Sequence, residues 1–343
     1  MEEFERYSRQ ILFKPIGIGG QKRLKASRTA VVGAGALGTV IANHLVRSGV
    51  GFVRLIDRDV VELSNLQRQI LFEEEDAKLN LPKAIAAKQK LALINSTVTV
   101  EAVIADLNLD NAEELLKDVD VIVDGTDNFA TRYLINDVAV KHGIPWVYGG
   151  AVSSRGIFAV IKPGETPCYR CLFPHVPAAG MGETCDTVGV LSPVTDIIGS
   201  FEAMEVIKLL VDAKTNPNLE QLDLWDSSFL QMDISHGKNP NCPTCVQHQY
   251  DFLDRSSSMQ IAYTSLCGRN TVQINPRQKN GIDLAKLAFR LKESGKVSSN
   301  EFLLQFSPKS EMSMVVFIDG RALIHGTNDL AKAKSFYAKY MGS

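Results

Sequence analysis

The chain has 343 residues, of which 45% are hydrophobic and 22% are charged. Its 37 Lys and Arg residues nearly balance its 39 Asp and Glu residues, which gives a formal net charge of −2. This length predicts about two domains with a large buried core, and the composition excludes a mainly disordered chain. The charge balance also lacks the basic excess that is typical of nucleic-acid and membrane-surface binders.

We expect a cytoplasmic protein without a membrane segment. The sequence has no run of about 18 uninterrupted apolar residues, and the charged start Met1-Glu-Glu-Phe-Glu-Arg6 has no signal-peptide core behind it. The 6 cysteines are too few for a disulfide scaffold of this size. Four of them form two Cys-x-x-Cys pairs, which in a reducing compartment favour a metal site over disulfides.

The first part of the chain alternates between predicted strands and helices. The β-branched run 29–32 enters a glycine loop, a helix follows to Arg47, and a second strand at 52–56 ends at Asp57. Further strands are predicted at 98–104, 119–123, 145–148 and 156–161, and further helices at 82–94, 111–116 and 131–142. This alternation predicts an α/β fold: a doubly wound, Rossmann-like, parallel-rich sheet with helices on both faces.

The second part of the chain has a different texture. A loop-rich stretch runs from 162 to about 192, and a predicted helix at 195–211 and a strand region containing Trp225 lead to the second cysteine pair. The segment Arg255-Ser-Ser-Ser258 indicates a linker. The rest predicts a small α+β domain, with strands at 271–274, 302–306 and 314–318 and helices at 284–292 and 331–340. We therefore predict two domains, residues 1–252 and residues 259–343.

The segment Gly33-Ala-Gly-Ala-Leu-Gly38 has the spacing of a phosphate-binding loop between a strand and a helix. Its glycines, Gly33, Gly35 and Gly38, allow a tight turn and a close approach to phosphate at a helix N-terminus. Asp57 lies 19 residues beyond Gly38, where an acid can accept hydrogen bonds from a ribose. This pattern predicts a nucleotide site, but it fits NAD as well as ATP, and a tight turn without a ligand is the other interpretation.

Charged residues near the predicted strand ends favour ATP. Adenylyl transfer must neutralise a polyphosphate, for which Arg68, Lys83 and a magnesium-binding Asp127 are suited. Hydride transfer needs a neutral nicotinamide pocket and none of these charges. Taken one by one, the two cations have another interpretation as solvated surface charges, and Asp127 as the cap of a helix that begins near Ala130.

Several segments, in this order along the chain, carry a family resemblance. They are Arg6-Tyr-Ser-Arg-Gln-Ile11, the glycine loop, Leu55-Ile-Asp57, Ser64-Asn-Leu-Gln-Arg-Gln69, Pro82-Lys83, Asp124-Gly-Thr-Asp-Asn128, Pro167-Cys-Tyr-Arg-Cys171 and Cys242-Pro-Thr-Cys245. Together they resemble the ThiF/MoeB family, adenylyltransferases of ubiquitin-like sulfur-carrier proteins that are similar to ubiquitin-activating enzymes. The resemblance spans roughly residues 6–250 and does not cover the tail.

The resemblance implies a role for each matching residue at the nucleotide. Asp57 would hold the ATP ribose, Asn65, Arg68 and Lys83 would contact the phosphates, and Asp127 would hold Mg²⁺. The C-terminal glycine carboxylate of the carrier would attack the α-phosphate, pyrophosphate would leave, and an acyl-adenylate would stay bound. The carrier, which ends in Gly-Gly, would be the small subunit of molybdopterin synthase or the thiamine-thiazole carrier.

The resemblance also implies a homodimer with shared active sites. Arg9 matches the family arginine that reaches into the site of the neighbouring subunit. Cys185 resembles the cysteine with which some members form a thioester or acyl-disulfide with the carrier, although a small buried side chain is an equally good interpretation. Cys267 is expected to be a packing residue at a strand end.

The two cysteine pairs lie 71 residues apart and predict one structural Cys₄ zinc site per chain. The ligands would be Cys168, Cys171, Cys242 and Cys245, and the family has zinc at the matching cysteines. A redox Cys-x-x-Cys motif or ordinary buried thiols are the other interpretations.

Other function classes explain less of the sequence. An NAD(P)-dependent oxidoreductase accounts only for the glycine loop and Asp57, and a non-catalytic partner with a decayed site conflicts with the filled ATP-site positions. A family member acting on transfer RNA is disfavoured by the net charge of −2, so we expect no nucleic-acid partner. For the tail we expect a docking or dimer-supporting role.

Overall fold

The computed structural model describes residues 2–176, 185–254, 265–266, 270–274, 281–308 and 312–341. Within this part of the chain, residues up to 254 belong to one compact unit, the N-terminal unit, and residues from 265 belong to a second, the C-terminal unit. The predicted linker at 255–258 lies outside the described residues, so the domain limits of 252 and 259 stay predictions. In the described part of the chain, no helix is both long and apolar enough to cross a membrane.

The N-terminal unit alternates between helices and strands, as the sequence predicts. In chain order it contains a 3-10 helix (Glu2–Tyr7), α1 (Ser8–Ile11), α2 (Gly17–Ala26), β1 (Arg28–Val32), α3 (Ala36–Ser48), β2 (Phe52–Asp57), a second 3-10 helix (Leu63–Asn65), α4 (Glu74–Lys78), α5 (Lys83–Ile94), β3 (Thr99–Ile104), α6 (Ala112–Leu116), β4 (Val121–Asp124), α7 (Phe129–His142), β5 (Trp146–Val152), β6 (Arg155–Ile161), α8 (Tyr169–Leu172), α9 (Cys185–Val188), α10 (Ser192–Leu210), β7 (Asn218–Asp223) and β8 (Ser228–Asp233).

The strands of this unit form one eight-stranded sheet in the order β3-β2-β1-β4-β5-β6-β7-β8. The strands from β3 to β5 are parallel, and β6, β7 and β8 extend the sheet by antiparallel pairing. The order 3-2-1-4-5 is that of a doubly wound fold. The predicted Rossmann-like, parallel-rich sheet is thereby confirmed.

Both faces of this sheet are covered by helices. Val31 and Leu55 belong to a core with residues of α3, α5 and α10, whereas Val32 and Ile122 belong to a second core with residues of α6 and α7. Neighbouring strand residues point to opposite faces, so strands buried on both sides read as continuous apolar runs.

Because the strands from β3 to β5 are parallel, their carboxyl ends lie at the same edge of the sheet. This edge is where ligands bind in doubly wound folds.

The region around Trp225 differs from the prediction. Trp225 lies in the turn between β7 and β8, and its N–H donates to Asp223 Oδ1 at 3.0 Å. Asp223 and Asp226 are turn-forming residues, and their spacing outweighs the strand preference of the aromatic side chain. Trp225 is 79% exposed at this hairpin tip.

The described C-terminal unit contains, in chain order, β9 (Ser265–Leu266), β10 (Thr271–Ile274), α11 (Leu284–Leu291), β11 (Gly295–Ser299), β12 (Leu303–Pro308), β13 (Ser313–Phe317), β14 (Ala322–His325) and α12 (Leu330–Met341). Its strands form an antiparallel six-stranded sheet in the order β11-β12-β13-β14-β10-β9, in agreement with the predicted α+β class. Its core includes Phe306, Met314 and Phe336. Three strands were not predicted: β9 and β14 are short, and β11 is an exposed polar edge without an alternating pattern.

Candidate functional site

The glycine loop joins β1 to α3 at the carboxyl edge of the sheet. Gly33 has a φ of +94°, and a Cβ at Gly38 would lie 1.8 Å from the carbonyl oxygen of Gly33. These two positions therefore require glycine for the turn itself. A Cβ at Gly35 would meet only the Nε2 atom of Gln69, at 3.9 Å. The surroundings of Gly35 are thus open enough for a ligand to approach the backbone.

Asp57, the last residue of β2, points at the glycine loop. Its Oδ2 accepts a hydrogen bond from the Ala34 N–H at 2.7 Å, and its Oδ1 accepts one from the Asp59 N–H at 2.7 Å. Burial raises the pKa of this carboxyl group, and the nearby Lys83 charge opposes that shift. The two N–H donors hold the carboxylate in one orientation and leave it lone pairs for a sugar hydroxyl.

Oppositely charged side chains gather beside Asp57. Lys83 begins α5 and is 3% exposed, and its Nζ lies 3.5 Å from Asp59 Oδ2. Arg58 Nη1 donates to Asp106 Oδ1 at 2.9 Å. Burial opposes the charge of Arg58, but the carboxylates of Asp106, Asp59 and Asp127 raise its pKa. The structure thus brings the predicted residues Asp57, Lys83 and Asp127 to the same edge of the sheet.

The turn 65–69 lies against the glycine loop. Asn65 is buried and its Oδ1 accepts from the Glu62 N–H at 3.2 Å, whereas Arg68 is half-buried and donates to the Ser64 carbonyl at 3.0 Å. Gln69 is 3% exposed, and its Oε1 has no hydrogen-bond partner among the described residues. Gln69 thus places a buried polar side chain beside the glycine loop, and the sequence argument assigned it no role. The only signal in the sequence for a role of Gln69 was its place at the end of the Ser64–Gln69 motif.

A buried ion pair supports the loop after β4. Arg132 Nε donates to Asp124 Oδ2 at 2.7 Å, and its Nη2 donates to the carbonyls of Thr126 and Gly149 at 2.7 and 3.0 Å. Asp124 Oδ1 also accepts from the N–H and hydroxyl of Thr126. Burial opposes the charge of Arg132, but Asp124 raises its pKa. This supporting arginine was missed, because a charge inside a predicted helix looks like a solvated one.

Asp127 is not the cap of the helix that follows it. The side chain of Asn128 accepts from the N–H groups of Ala130 and Thr131, at 2.8 and 3.3 Å, and Asn128 is the N-cap of α7. The alternative interpretation of Asp127 as a cap is therefore wrong. Its exposed carboxylate stays at the edge of the sheet, where an oxygen ligand suits Mg²⁺.

A second buried carboxyl group lies beneath this loop. Glu202 of α10 is fully buried against Gly149, where a Cβ would lie 2.2 Å from Glu202 Cδ. Neither of its oxygens has a hydrogen-bond partner in the part of the chain that the structure describes. Burial, and then the charge of Asp124, raise its pKa well above the ordinary value, whereas Arg132 opposes the shift. Burial thus favours the neutral form of Glu202.

Arg9 lies on α1, and within the described part of one chain it forms no hydrogen bond or ion pair with these side chains. Its neighbours anchor the segment: Gln10 Nε2 donates to Gln21 Oε1 at 2.7 Å, and Asn95 Nδ2 donates to the Tyr7 hydroxyl at 2.8 Å. Arg9 itself is exposed. An anchored α1 segment with an exposed Arg9 is compatible with the predicted role of this arginine at the site of a second subunit.

The four paired cysteines meet as the sequence predicts. Their Sγ atoms all lie within 4.8 Å of one another. The distances are 3.8 Å for Cys168–Cys171, 3.6 Å for Cys168–Cys242 and 3.5 Å for Cys171–Cys245. A tetrahedral site with Zn–S bonds of about 2.3 Å needs S···S separations of about 3.8 Å. The donor set and its spacing therefore fit zinc.

The thiols of this cluster are hydrogen-bonded to one another. These hydrogen bonds lower the pKa of Cys171, whereas the bond to Cys171, together with burial, raises the pKa of Cys168. A metal ion would displace the thiol protons.

The remaining two cysteines are Cys185 and Cys267. Cys185 begins α9, but its side chain lies outside the described residues, and Cys267 lies outside them altogether. The covalent role of Cys185 and the packing role of Cys267 stay predictions.

Comparisons with known proteins agree with this site. Residues 7–244 match the ThiF family. The chain is 46% identical over 338 residues to the sulfur carrier protein ThiS adenylyltransferase of Bacillus subtilis, covering 98% of this chain and 99% of that relative. It is 41% identical over 276 residues to the sulfur carrier protein adenylyltransferase of Thermus thermophilus, covering 78% of this chain and 97% of that relative.

A solved structure of E. coli MccB with MccA-N7isoASN is similar with a TM-score of 0.63 and 25% identity, over 70% of this chain and 75% of MccB. The B. subtilis match is long enough to include most of the C-terminal unit, whereas the T. thermophilus relative leaves about a fifth of this chain without a counterpart. The residues that match the family, 7–244, lie in the N-terminal unit among the described residues. By its residues and by these matches, the chain belongs to the ThiF family.

Proposed function

We propose that the chain adenylylates the C-terminal carboxylate of a ubiquitin-like sulfur-carrier protein. The carboxylate oxygen attacks the α-phosphorus of ATP, the bond to the bridging oxygen breaks, pyrophosphate leaves, and an acyl-adenylate stays bound. A carboxylate is already a sufficient nucleophile, so the protein mainly aligns the reactants and stabilises charge on the phosphates. No catalytic base is required.

The observation that carries the proposal is the buried ammonium group of Lys83. Its ion pair with Asp59, at 3.5 Å, is longer than a charge-assisted hydrogen bond of about 2.8 Å. A buried cation with such a loose partner calls for an anion beside the glycine loop, and a polyphosphate supplies one. The names of the B. subtilis and T. thermophilus relatives, both sulfur-carrier adenylyltransferases, support the same reaction.

The other site residues take roles that suit their positions. We assign Gly33, Gly35 and Gly38 to the backbone cradle of the phosphates and Asp57 to the ribose. Asn65 and Arg68 join Lys83 as phosphate contacts, because the turn 65–69 lies against the glycine loop. The half-buried guanidinium of Arg68 has a carbonyl as its described partner, so it is available to an anion.

Two metals complete the proposal. Asp127 would hold Mg²⁺, which neutralises charge on the phosphates when it is bound. Its own chain supports the position of that carboxylate through Asn128 and Arg132. Cys168, Cys171, Cys242 and Cys245 would hold one structural Zn²⁺ per chain, with no open position for water.

We extend the proposal to a homodimer in which Arg9 of one subunit reaches the nucleotide of the other. The anchored α1 segment and the exposed arginine support it. The four free thiols of the cluster fit a reducing compartment, which supports a cytoplasmic protein. Cross-complementation tests the shared site: a mixture of inactive Arg9→Ala and Asp127→Ala chains should recover activity, whereas either chain alone should not.

We propose that Cys185 forms a thioester or acyl-disulfide with the carrier. In the thioester, the Cys185 thiolate attacks the carbonyl carbon of the acyl-adenylate and AMP leaves; the acyl-disulfide forms in the same way if a sulfur donor has first converted Cys185 to a persulfide. Mass spectrometry after incubation with carrier and ATP should detect an adduct that excess thiol or hydroxylamine releases and that Cys185→Ser lacks. An unchanged adduct in Cys185→Ser, or none in the unaltered chain, contradicts this role and leaves adenylylation intact.

Carrier-dependent exchange of pyrophosphate with ATP tests the whole proposal. We expect exchange with the thiamine-thiazole carrier ThiS or with the small subunit of molybdopterin synthase, and none with a carrier that lacks its C-terminal Gly-Gly. Exchange with neither carrier contradicts the proposal. The carrier that supports exchange identifies the pathway, thiamine or molybdenum cofactor.

The oxidoreductase alternative is tested by ligand-induced stabilisation. At about 100 times its Kd, ATP with Mg²⁺ should stabilise the protein by about 2.7 kcal/mol, and NAD at the same concentration should have no effect. Stabilisation by NAD alone would favour the alternative.

A further inference from the structure

Helix α7 touches both proposed metal sites. Its N-terminus follows Asp127, and Arg132, one turn into the helix, donates to the carbonyl of Thr126 at 2.7 Å. One further turn along lie Asn136 and Asp137, which are 0% and 1% exposed. The side chains of these two adjacent residues accept hydrogen bonds from the chain segments that carry the four cysteines.

The first cysteine pair is held by Asn136. Its Oδ1 accepts from the backbone N–H of Tyr169, at 2.8 Å, inside the Cys168–Cys171 segment. Tyr169 is itself fully buried. The bond fixes the backbone between Cys168 and Cys171. A bond of this kind orients the side chains that would bind a metal ion.

The second cysteine pair is held by Asp137. Its Oδ1 accepts from the hydroxyl of Thr244 at 3.1 Å, inside the Cys242–Cys245 segment. Its Oδ2 accepts from the Phe252 N–H at 2.9 Å. Adjacent residues of one helix therefore orient two segments that lie 71 residues apart in the sequence.

The part of α7 between these anchors is rigid. Arg132 and Asn136 are four residues apart, which is a rise of about 6 Å along the helix. Both are buried, and each is bonded to a fixed backbone group. The helix therefore cannot shift at one end without lengthening hydrogen bonds at the other.

We propose that α7 couples the two sites, so that zinc at the cysteine cluster and ATP·Mg²⁺ at the glycine loop raise each other's affinity. Asn136 and Asp137 act as positioning residues for the cysteine segments, and Arg132 acts as the positioning residue for the Asp127 loop. This inference rests on the proposed function, since it takes ATP·Mg²⁺ as the ligand. Coupling between two binding sites is reciprocal, and values of about tenfold are common.

The experiment measures both directions on the full chain. Zinc transfer to a competing chromogenic chelator gives the zinc affinity with and without ATP·Mg²⁺, and calorimetry gives the affinity for ATP·Mg²⁺ with and without zinc. We expect ATP·Mg²⁺ to strengthen zinc binding about tenfold, and zinc depletion to weaken ATP·Mg²⁺ binding by the same factor. Neither readout depends on turnover.

Asp137→Asn is the test variant, and Asp251→Asn is its matched control. Asp251 accepts from Arg170 Nη1 at 2.7 Å, so it joins the Cys168–Cys171 segment to the chain that follows Cys245, and it does so without using α7. Both variants should weaken zinc binding, but only Asp137→Asn should lose the effect of ATP·Mg²⁺. Equal loss in both variants, or full coupling in Asp137→Asn, overturns the proposal.

Arg132→Lys tests the link from the other end and serves if Asp137→Asn fails to fold. Lysine keeps the charge but not the forked donors, so coupling should fall while zinc binding without nucleotide is unchanged. Unchanged coupling in this variant overturns the proposal. If ATP·Mg²⁺ does not bind the unaltered protein at all, the proposed function fails; if it binds without affecting zinc, only the coupling fails.

Discussion

The nucleotide site and the cysteine cluster are built in opposite ways. The cluster takes its ligands from two short segments, each of which brings two sulfurs, and all four sulfurs lie within 4.8 Å of one another. The proposed nucleotide site takes its residues from the glycine loop, the end of β2, the turn 65–69, the start of α5 and the loop after β4. Its charged groups lie beside one another, as in the pair of Lys83 and Asp59.

This difference shows where each site obtains its geometry. Two cysteines in one Cys-x-x-Cys segment are close by local chain geometry, so only the two segments must be brought together. Residues from five segments are close only if the sheet edge and its buried supports are correct. The nucleotide site should therefore be sensitive to residues that never touch the ligand, such as Arg132, and the cluster chiefly to its own cysteines.

The largest expected effect is at the cluster. Cys242→Ala removes one of four ligands, and zinc content should fall from about one per chain to less than about 0.1, with a large loss of thermal stability. Elemental analysis of the purified protein measures it. Cys185→Ala, outside the four-cysteine cluster, is the control and should keep its zinc. Retention of a full equivalent in Cys242→Ala would show that the cluster does not hold the metal.

Next in size is the loss of the buried support. Arg132→Met leaves Asp124 as a buried charge without its partner, and the free energy of unfolding in urea should fall by about 3 to 5 kcal/mol. The double variant Asp124→Asn with Arg132→Met removes both charges and should recover much of this loss. An equal loss in the single and double variants would mean that packing, rather than the ion pair, stabilises the loop.

A third change acts on chemistry alone. Asp127→Ala should reduce carrier-dependent pyrophosphate exchange at least 100-fold, which corresponds to about 2.7 kcal/mol, without changing the unfolding temperature. The exposed carboxylate of Glu114 on α6 provides the matched control, since Glu114→Ala should exchange normally. Full activity of Asp127→Ala would sink its assignment to magnesium.

The smallest effect is the pH dependence contributed by Glu202. Its pKa is raised in the folded protein, so above the unfolded value of 4.5 the folded state binds the additional proton, and stability falls as pH rises toward the raised pKa. Glu202→Gln should remove the contribution of Glu202 to this slope, so its stability gain over the unaltered protein should be larger at pH 8 than at pH 4.5. Urea unfolding from pH 4.5 to pH 8 measures it.

The neighbouring Glu205 provides the control for that experiment. Glu205 Oε1 accepts from Lys208 Nζ at 2.5 Å, so this carboxylate, unlike that of Glu202, has a cationic partner. Glu205→Gln should therefore keep the slope of the unaltered protein. A slope that persists in Glu202→Gln would mean that another buried group causes it.

Local patterns predicted much of the fold. Apolar runs gave β1, β2 and β4 to within two residues, because strands buried on both faces have little sequence freedom. The exposed strands β8 and β11 carry no such pattern. Trp225 falls in a turn because Asp223 and Asp226 are turn-forming residues. The prediction thus succeeded for the longer buried strands, whereas it missed exposed β11 and also β14, whose buried run is only three residues long.

The candidate site divides in the same way. The Cys-x-x-Cys pairs, the glycine loop with Asp57, and Lys83 are recognisable because their chemistry depends on residue type at a fixed spacing. Gln69, Arg132 and Glu202 are not, because what distinguishes them is burial beside groups from other elements. The roles predicted for Arg9 and Cys185 depend on a second subunit and on a carrier, and they stay predictions.

The sequence by itself determined the doubly wound class, the family and the identity of the four clustered cysteines, since each depends on local spacing and residue chemistry. Only the tertiary structure decided which charges are buried, that Asn128 rather than Asp127 caps α7, and that α7 bonds to both the Asp127 loop and the two cysteine segments. The physical reason is that desolvation and hydrogen-bond partners depend on the approach of distant segments.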